Sequence, residues 1–278
     1  MLLYKTRNGI VIAEDGKFYP DENGNWDSLI NDDQLYSKLR SLVSGLKPLN
    51  KSDALIDSEI LAPIGQQEVW ACGVTYYRSK VGRQEESKSS GGADFYARVY
   101  EAERPEIFFK ATPHRVVGHL GKVRIRKDSA WDVPEPELTL VVTTSGKIVG
   151  YTIGNDMSSR SIEGENPLYL PQAKTYDGAA AIGPCIYVTD KPLDKSTGIH
   201  LEIHRSGKVV FVGDVTIDQI VRKFEDLVSF LYRECTFPAG AFVMTGTGIV
   251  PSSDFTLQKN DEIRITIEPM GTLINTVA

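Results

Sequence analysis

The chain has 278 residues, a formal net charge of -6 at pH 7 and 41% hydrophobic residues. This acidic balance gives no positive field that would attract nucleic acid or an acidic membrane surface, so we expect neither partner. No apolar run reaches the roughly 18 residues that a membrane span needs. The three cysteines are odd in number and widely spaced, which favours a reducing compartment over a disulfide framework and predicts a cytoplasmic location.

The first 60 residues are predicted to form a small N-terminal α+β domain, followed by a larger domain over residues 61–278. Asn8-Gly9 lies between two short apolar runs and predicts a hairpin. An apolar stripe from Leu35 to Leu46, followed by Pro48, predicts a helix. No acid, base or nucleophile here has an evident partner, so the expected role of this segment is packing or a subunit contact.

The next segment contains one short strand and a polar stretch. Residues 69–74 are apolar and predict a strand, whereas residues 78–92 are polar, end in glycines and predict a loop. This loop is either a lid over a site or an ordinary surface loop. Residues 94–103 have helix-compatible apolar spacing that Pro105 stops, and Glu106 follows directly.

Two carboxylates open the strand that is predicted to be the centre of the chain. Glu135 and Glu137 precede an apolar run, and because side chains alternate along a strand, both acids share one face. Ser145-Gly146 predicts a turn, and the returning strand leads to Asp156. We therefore expect three carboxylates to meet.

Carboxylates that converge without matching bases repel one another, and a divalent cation would neutralise them. All-oxygen ligation favours Mg2+, with Mn2+ and Ca2+ as alternatives. Lys174 follows a proline-containing loop and could bring an amine to the same place. The alternative is that Glu135 and Glu137 solvate the exposed face of an edge strand, where Pro134 and Pro136 would be tolerated.

The C-terminal third continues with alternating patterns. Residues 199–212 predict a hairpin, and an apolar stripe over 220–231 predicts a helix. Thr245-Gly246-Thr247-Gly248 would let backbone approach a ligand closely, and residues 262–268 and 271–277 predict two more strands. Many short strands, few helices and no βαβ alternation predict a mainly β (α+β) fold with mixed sheets.

Four ordered motifs resemble the fumarylacetoacetate hydrolase family: PEPELTLVV, GYTIGNDMSSRSIE, LPQAKTYDGAAAIGP and TGTGIV. The resemblance implies the mixed β-sandwich roll of that family, with residues 61–278 as its catalytic domain, and homo-oligomers, either dimers or tetramers. It also implies a divalent metal on Glu135, Glu137 and Asp156, with Lys174 as a catalytic residue beside it.

Within the family, RPEIFFKAT (104–112) and ENPLYLPQAK (165–174) are most similar to a sugar-acid branch. This similarity adds Glu106 as a second catalytic residue, and Thr247 and Tyr76 are the candidate substrate contacts. The implied reaction is Mg2+-dependent dehydration of a small 2-keto acid, 2-keto-3-deoxy-D-arabinonate, to 2-oxoglutarate semialdehyde in pentose catabolism. Which catalytic residue is base and which is acid stays open.

Hydrolases of the family carry a His in an N-terminal signature similar to GxNYxxHxxE. In this chain the corresponding GVTYYRSKVG has Ser79 at that place, which argues against hydrolysis of a C-C bond. An acylpyruvate or fumarylacetoacetate type of hydrolase is nevertheless the alternative function. A third hypothesis is a catalytically silent scaffold that binds acidic metabolites or a partner.

Overall fold

The computed structural model describes residues 1–50, 57–86 and 98–278. The strands of these ranges are β1 Leu2–Thr6, β2 Gly9–Glu14, β3 Lys17–Asp21, β4 Glu68–Gly73, β5 Glu106–Ala111, β6 Val116–Val117, β7 Lys122–Val123, β8 Asp132–Val142, β9 Ile148–Ser159, β10 Ala180–Tyr187, β11 Gly198–Arg205, β12 Lys208–Thr216, β13 Ala241–Met244, β14 Glu262–Ile267 and β15 Gly271–Val277. The helices are α1 Trp26–Ile30, α2 Leu35–Gly45, α3 Tyr77–Glu86, α4 Arg160–Glu165, α5 Leu170–Lys174 and α6 Phe224–Tyr232.

All fifteen of these strands belong to two mixed sheets. The larger has ten strands in the order β3-β2-β1-β10-β9-β8-β13-β4-β5, with β6 paired in parallel to β10. The smaller has five strands in the order β12-β11-β14-β15-β7. Apolar residues from both sheets, among them Leu138, Ile153, Leu201 and Ile263, form one buried cluster. The predicted mainly β fold with mixed sheets is confirmed.

The N-terminal strands continue the large sheet. β1 pairs with β10, with Leu2 opposite Tyr187 and Leu3 opposite Ile186. Leu35 of α2 packs in the same apolar cluster as Leu3 and residues of the central strands. The division of the chain into two domains at residue 60 stays a prediction.

The large sheet curls on itself. β5 lies four strands away from β9, which corresponds to about 19 Å in a flat sheet, because neighbouring strands lie about 4.8 Å apart. Nevertheless the Lys110 ammonium on β5 bonds the Met157 carbonyl on β9 at 2.9 Å. The curl therefore brings the edge strand β5 over the face of β8 and β9.

Two local predictions were wrong. The predicted polar loop is helical from Tyr77 to Glu86, because Arg, Lys, Gln and Glu are good helix formers even without an apolar stripe. The rest of that stretch, and residues 94–97 of the next predicted helix, lie outside the described residues. The helix predicted from residue 220 begins at Phe224, because Ile220 instead forms a β-bridge with Tyr76.

Across the described ranges, every helix is too short or too polar to cross a membrane.

Candidate active site

The pairing of β8 with β9 builds an acidic cluster. Glu135 lies opposite Asp156 and Glu137 lies opposite Gly154, so the three carboxylates occupy one face of the two strands. All three residues are buried, and one oxygen from each lies within 4.8 Å of the others. β8 has neighbours on both sides, so the alternative of two acids on a solvated edge strand is excluded.

Lys174, the last residue of α5, reaches into this cluster and is fully buried. Its ammonium donates to Glu135 Oε2 at 2.7 Å, to Asp156 Oδ2 at 3.2 Å and to Ser158 Oγ at 2.5 Å. A fourth oxygen, Glu163 Oε1, lies 3.3 Å away. The predicted meeting of the lysine with the carboxylates is therefore present in the structure.

Two further cations lie beside the same carboxylates. Arg160 Nη2 is 2.8 Å from Glu135 Oε1, and Lys110 Nζ is 2.5 Å from Asp156 Oδ1. Both side chains are almost completely buried. The network thus sets three cations against four carboxylates, counting Glu163, and it would be negative by one charge if every group were ionised.

Glu137 differs from its neighbours because it forms no ion pair with any residue in the described part of the chain. Its Oε2 accepts a hydrogen bond from the Gly246 amide at 2.6 Å. Burial, followed by the charges of Asp156 and Glu135, raises the pKa of the Glu137 carboxyl well above its ordinary value. Residue 246 must be glycine, because its φ is +92° and a Cβ would lie 2.1 Å from Thr75 Oγ1.

These features fit a bound hard divalent cation. Three converging carboxylates offer the oxygen ligands that Mg2+ prefers, and the network has fewer cations than carboxylates. A buried carboxylate without an opposite charge is costly, and a metal ion would supply that charge beside Glu137. Glu135, Glu137 and Asp156 are the residues that would hold it.

The Glu106 carboxylate lies against Gly73 on the neighbouring strand β4. A Cβ at residue 73 would lie 1.8 Å from Glu106 Oε2, so a larger residue there would displace this carboxylate. Gly73 also lines a small cleft that reaches the acidic cluster. The other walls of this cleft include Ser79, Phe108, Glu135, Arg160 and Thr247. Glu106 and the carboxylate cluster therefore approach the same cleft.

The cleft has a volume of only about 10 Å³, close to the minimum for one water molecule. Wider depressions of about 360 and 420 Å³ lie beside α2 and α6. Within the described ranges, neither contains a group of three side chains suited to a metal ion.

The two candidate substrate contacts are placed differently. Thr247 lines the cleft, and its hydroxyl bonds the backbone of Ile249. Tyr76 is 1% exposed and packs in the apolar cluster between the sheets. Burial raises the pKa of the Tyr76 hydroxyl, which has no hydrogen-bond partner among the residues that the structure describes.

Our sequence reasoning missed Lys110, Arg160 and Glu163. Arg160 and Glu163 lie inside a motif of the family resemblance and Lys110 lies inside a motif of the branch similarity, but no rule of spacing showed that they face the carboxylates. A signal was available for Lys110: it lies four positions after Glu106, so both share a face if the segment is a strand.

Glu137 predicts how the stability of the metal-free protein depends on pH. The folded chain holds the Glu137 proton more tightly than the unfolded chain, where the carboxyl has its ordinary pKa of 4.5. The free energy of unfolding should therefore fall as pH rises above that value, by up to about 1.4 kcal/mol per pH unit for one group, until the raised pKa is passed.

Urea unfolding in EDTA, from about pH 5 to about pH 8, would measure this slope, and Glu137→Gln is the control. The variant should lack the part of the pH slope that Glu137 contributes. Saturating Mg2+ should suppress the same part of the slope in the wild type. Parallel pH profiles for the two metal-free proteins would contradict the expectation.

The overall fold of this chain is similar to that of solved structures of known proteins. The model of the fumarylacetoacetate (FAA) hydrolase C-terminal family matches residues 75–278. The chain belongs to the fumarylacetoacetate hydrolase family.

Two curated relatives are similar over most of their length. A probable 2-keto-3-deoxyxylonate dehydratase of Haloferax volcanii is 48% identical over 81% of this chain and 77% of the relative. A 2-dehydro-3-deoxy-D-arabinonate dehydratase of Saccharolobus solfataricus is 45% identical over 82% of this chain and 78% of the relative. Among solved structures, 2-keto-3-deoxy-D-arabinonate dehydratase complexed with magnesium and 2,5-dioxopentanoate is 36% identical with a TM-score of 0.81, covering 99% of this chain and 97% of that one.

Proposed function

We propose that this protein is a Mg2+-dependent dehydratase that converts 2-keto-3-deoxy-D-arabinonate to 2,5-dioxopentanoate, also called 2-oxoglutarate semialdehyde. The observation that carries the proposal is the buried group formed by Glu135, Glu137 and Asp156 beside Lys174. The names of the two relatives and the ligands of the similar structure support this substrate class.

The three carboxylates would hold the metal ion, which when bound supplies Lewis-acid polarisation of the 2-keto group. Dehydration then requires removal of a proton from C3 and departure of the C4 hydroxyl as water. Loss of a C5 proton and tautomerisation complete the aldehyde. Each of these steps needs a side chain that holds or gives up a proton at the cleft.

Lys174 and Glu106 are the proposed proton carriers. The Lys174 ammonium lies within 3.2 Å of both Glu135 and Asp156, so a substrate bound at those carboxylates would lie beside it. In its neutral form Lys174 can accept the C3 proton, while Glu106 donates to the departing C4 hydroxyl. The reverse assignment uses the same two groups.

The cleft walls provide the proposed substrate contacts. Arg160 is 3% exposed and lines the cleft together with Thr247, so its guanidinium would lie next to an anionic substrate. Thr247 offers a hydroxyl on the same wall. Tyr76 supports the packing beneath that wall and would affect substrate through it.

The test is an assay of the purified protein on 2-keto-3-deoxy-D-arabinonate with Mg2+ and again with EDTA, following 2,5-dioxopentanoate. We expect metal-dependent formation of the aldehyde. Acylpyruvate cleavage, measured in parallel, would instead support the hydrolase, although Ser79 bonds the backbone of Tyr76 where the hydrolases place His. Keto-acid binding without turnover or metal dependence would indicate a silent scaffold.

We also propose that the protein serves pentose catabolism in the cytoplasm as a homo-oligomer. The three cysteines are free, and Cys72 and Cys185 are buried, which suits a reducing compartment. Light scattering of the purified protein would measure the assembly.

A further inference from the structure

Lys110 is a buried cation that the proposed proton transfers do not use. It lies on β5, where Glu106, Phe108 and Lys110 alternate onto one face. Its side chain is 0% exposed, and an ammonium in such a position must be surrounded by oxygens.

The surrounding oxygens belong to the candidate site. Lys110 Nζ lies 2.5 Å from Asp156 Oδ1, and it donates to the Lys174 carbonyl at 2.5 Å and to the Met157 carbonyl at 2.9 Å. The two carbonyls take two of the three donor hydrogens of the ammonium, and Asp156 Oδ1 lies against the ammonium as an ion-pair partner without a hydrogen bond.

The bond to the Lys174 carbonyl fixes the end of α5. This helix has only five residues, and its last carbonyls have no partner within the helix. A second bond to β5 lies next to it, because Thr175 Oγ1 donates to the Phe109 carbonyl at 3.1 Å. The backbone from which the Lys174 ammonium projects is therefore tied to β5 at two points.

We propose that Lys110 is a positioning residue for the reaction: it orients Asp156 and sets where Lys174 lies relative to the carboxylates. The catalytic meaning of this inference rests on the proposed function, whereas the contacts themselves do not. This positioning role depends on the curl of the sheet, because the curl lets Lys110 on the edge strand β5 reach both Asp156 and the Lys174 carbonyl.

A positioning role and a purely electrostatic role of Lys110 predict opposite changes in Mg2+ affinity when the residue is removed. If Lys110 acted only as a neighbouring positive charge, its removal would leave the carboxylates more negative and tighten Mg2+ binding. If it holds Asp156 in place, its removal weakens Mg2+ binding by roughly 10–100-fold, as for other partners of metal ligands. Displacement of Lys174 would also lower kcat, by roughly 100-fold.

The experiment compares Lys110→Met with Lys5→Met by titration with Mg2+ alone, by kcat and KM, and by crystal structures without metal. Lys5 lies outside the site and donates a hydrogen bond of 2.5 Å to the Ile64 carbonyl. Its variant therefore controls for loss of a lysine-carbonyl bond. We expect weaker Mg2+ binding, lower kcat and a shifted Asp156 and α5 end only in Lys110→Met. Unchanged or tighter Mg2+ binding, or unmoved Asp156 and Lys174, would overturn the inference.

Lys110→Arg provides a second test if the Met variant does not fold. It keeps the positive charge but replaces the compact ammonium with a larger planar fork, so we expect kcat and Mg2+ affinity to fall here too. Wild-type values in Lys110→Arg would show that charge suffices and would overturn positioning. A wild-type chain that binds no Mg2+ would defeat the proposed function, while the metal-free structures would still decide the role of Lys110.

Discussion

Lys174→Met is expected to lower kcat by roughly 10²–10⁴-fold while the protein keeps its affinity for Mg2+. Methionine preserves most of the buried stem but can neither accept nor donate a proton. The wild-type ammonium bonds Glu135 and Asp156, so its loss frees carboxylate oxygens for a metal ion. We therefore expect Mg2+ binding to stay the same or become tighter while turnover collapses.

Steady-state kinetics at saturating Mg2+ and calorimetric titration with Mg2+ would measure the two effects separately. Lys174→Arg is the matched variant, because a guanidinium keeps the charge but cannot be deprotonated in a protein. If the arginine variant is also inactive but keeps its Mg2+ affinity, the result supports proton transfer as the function of Lys174. Near-normal turnover in Lys174→Met would remove the residue from the mechanism, and loss of Mg2+ binding would assign it to assembly of the metal site.

The part of the site that depends on neighbouring strands could be predicted from the sequence. Alternation placed Glu135 and Glu137 on one face, and the turn after β8 indicated that Asp156 would return beside them. Asp156 was expected at a strand end, but β9 continues to Ser159 and the residue lies directly opposite Glu135. Hairpin pairing is local, so it can be predicted without knowledge of the rest of the sheet.

Lys110 illustrates what local patterns cannot give. Its contact with Asp156 joins strands that are four positions apart in the sheet, and that contact exists only because the sheet curls. No spacing in the sequence encodes the curl, which depends on the twist of every intervening strand. Helix α3 shows a different limit, since a polar run with good helix formers was interpreted as a loop for want of an apolar stripe.

Glu137→Gln is expected to weaken Mg2+ binding by more than about 100-fold, because a direct ligand should matter more than the partners of ligands, whose loss costs roughly 10–100-fold. Activity should disappear at Mg2+ concentrations that saturate the wild type, as it should after EDTA treatment of the wild type. Mg2+ titration followed by calorimetry, with turnover measured at each concentration, would test this. Asp132→Asn is the matched control, since Asp132 is also a buried acid on β8 but lies on the opposite face.

The same substitution should stabilise the metal-free protein above the pKa of an ordinary carboxyl. Glu137 has no ion-pair partner among the described residues, and its burial makes ionisation costly, as the raised pKa shows. Glutamine removes that cost, and its carbonyl can still accept the Gly246 amide hydrogen. Weaker metal binding together with higher metal-free stability is the signature of a residue kept for its ligand. If the variant instead loses both Mg2+ affinity and metal-free stability, Glu137 is required for the fold, because damage to the fold would then account for the lost affinity.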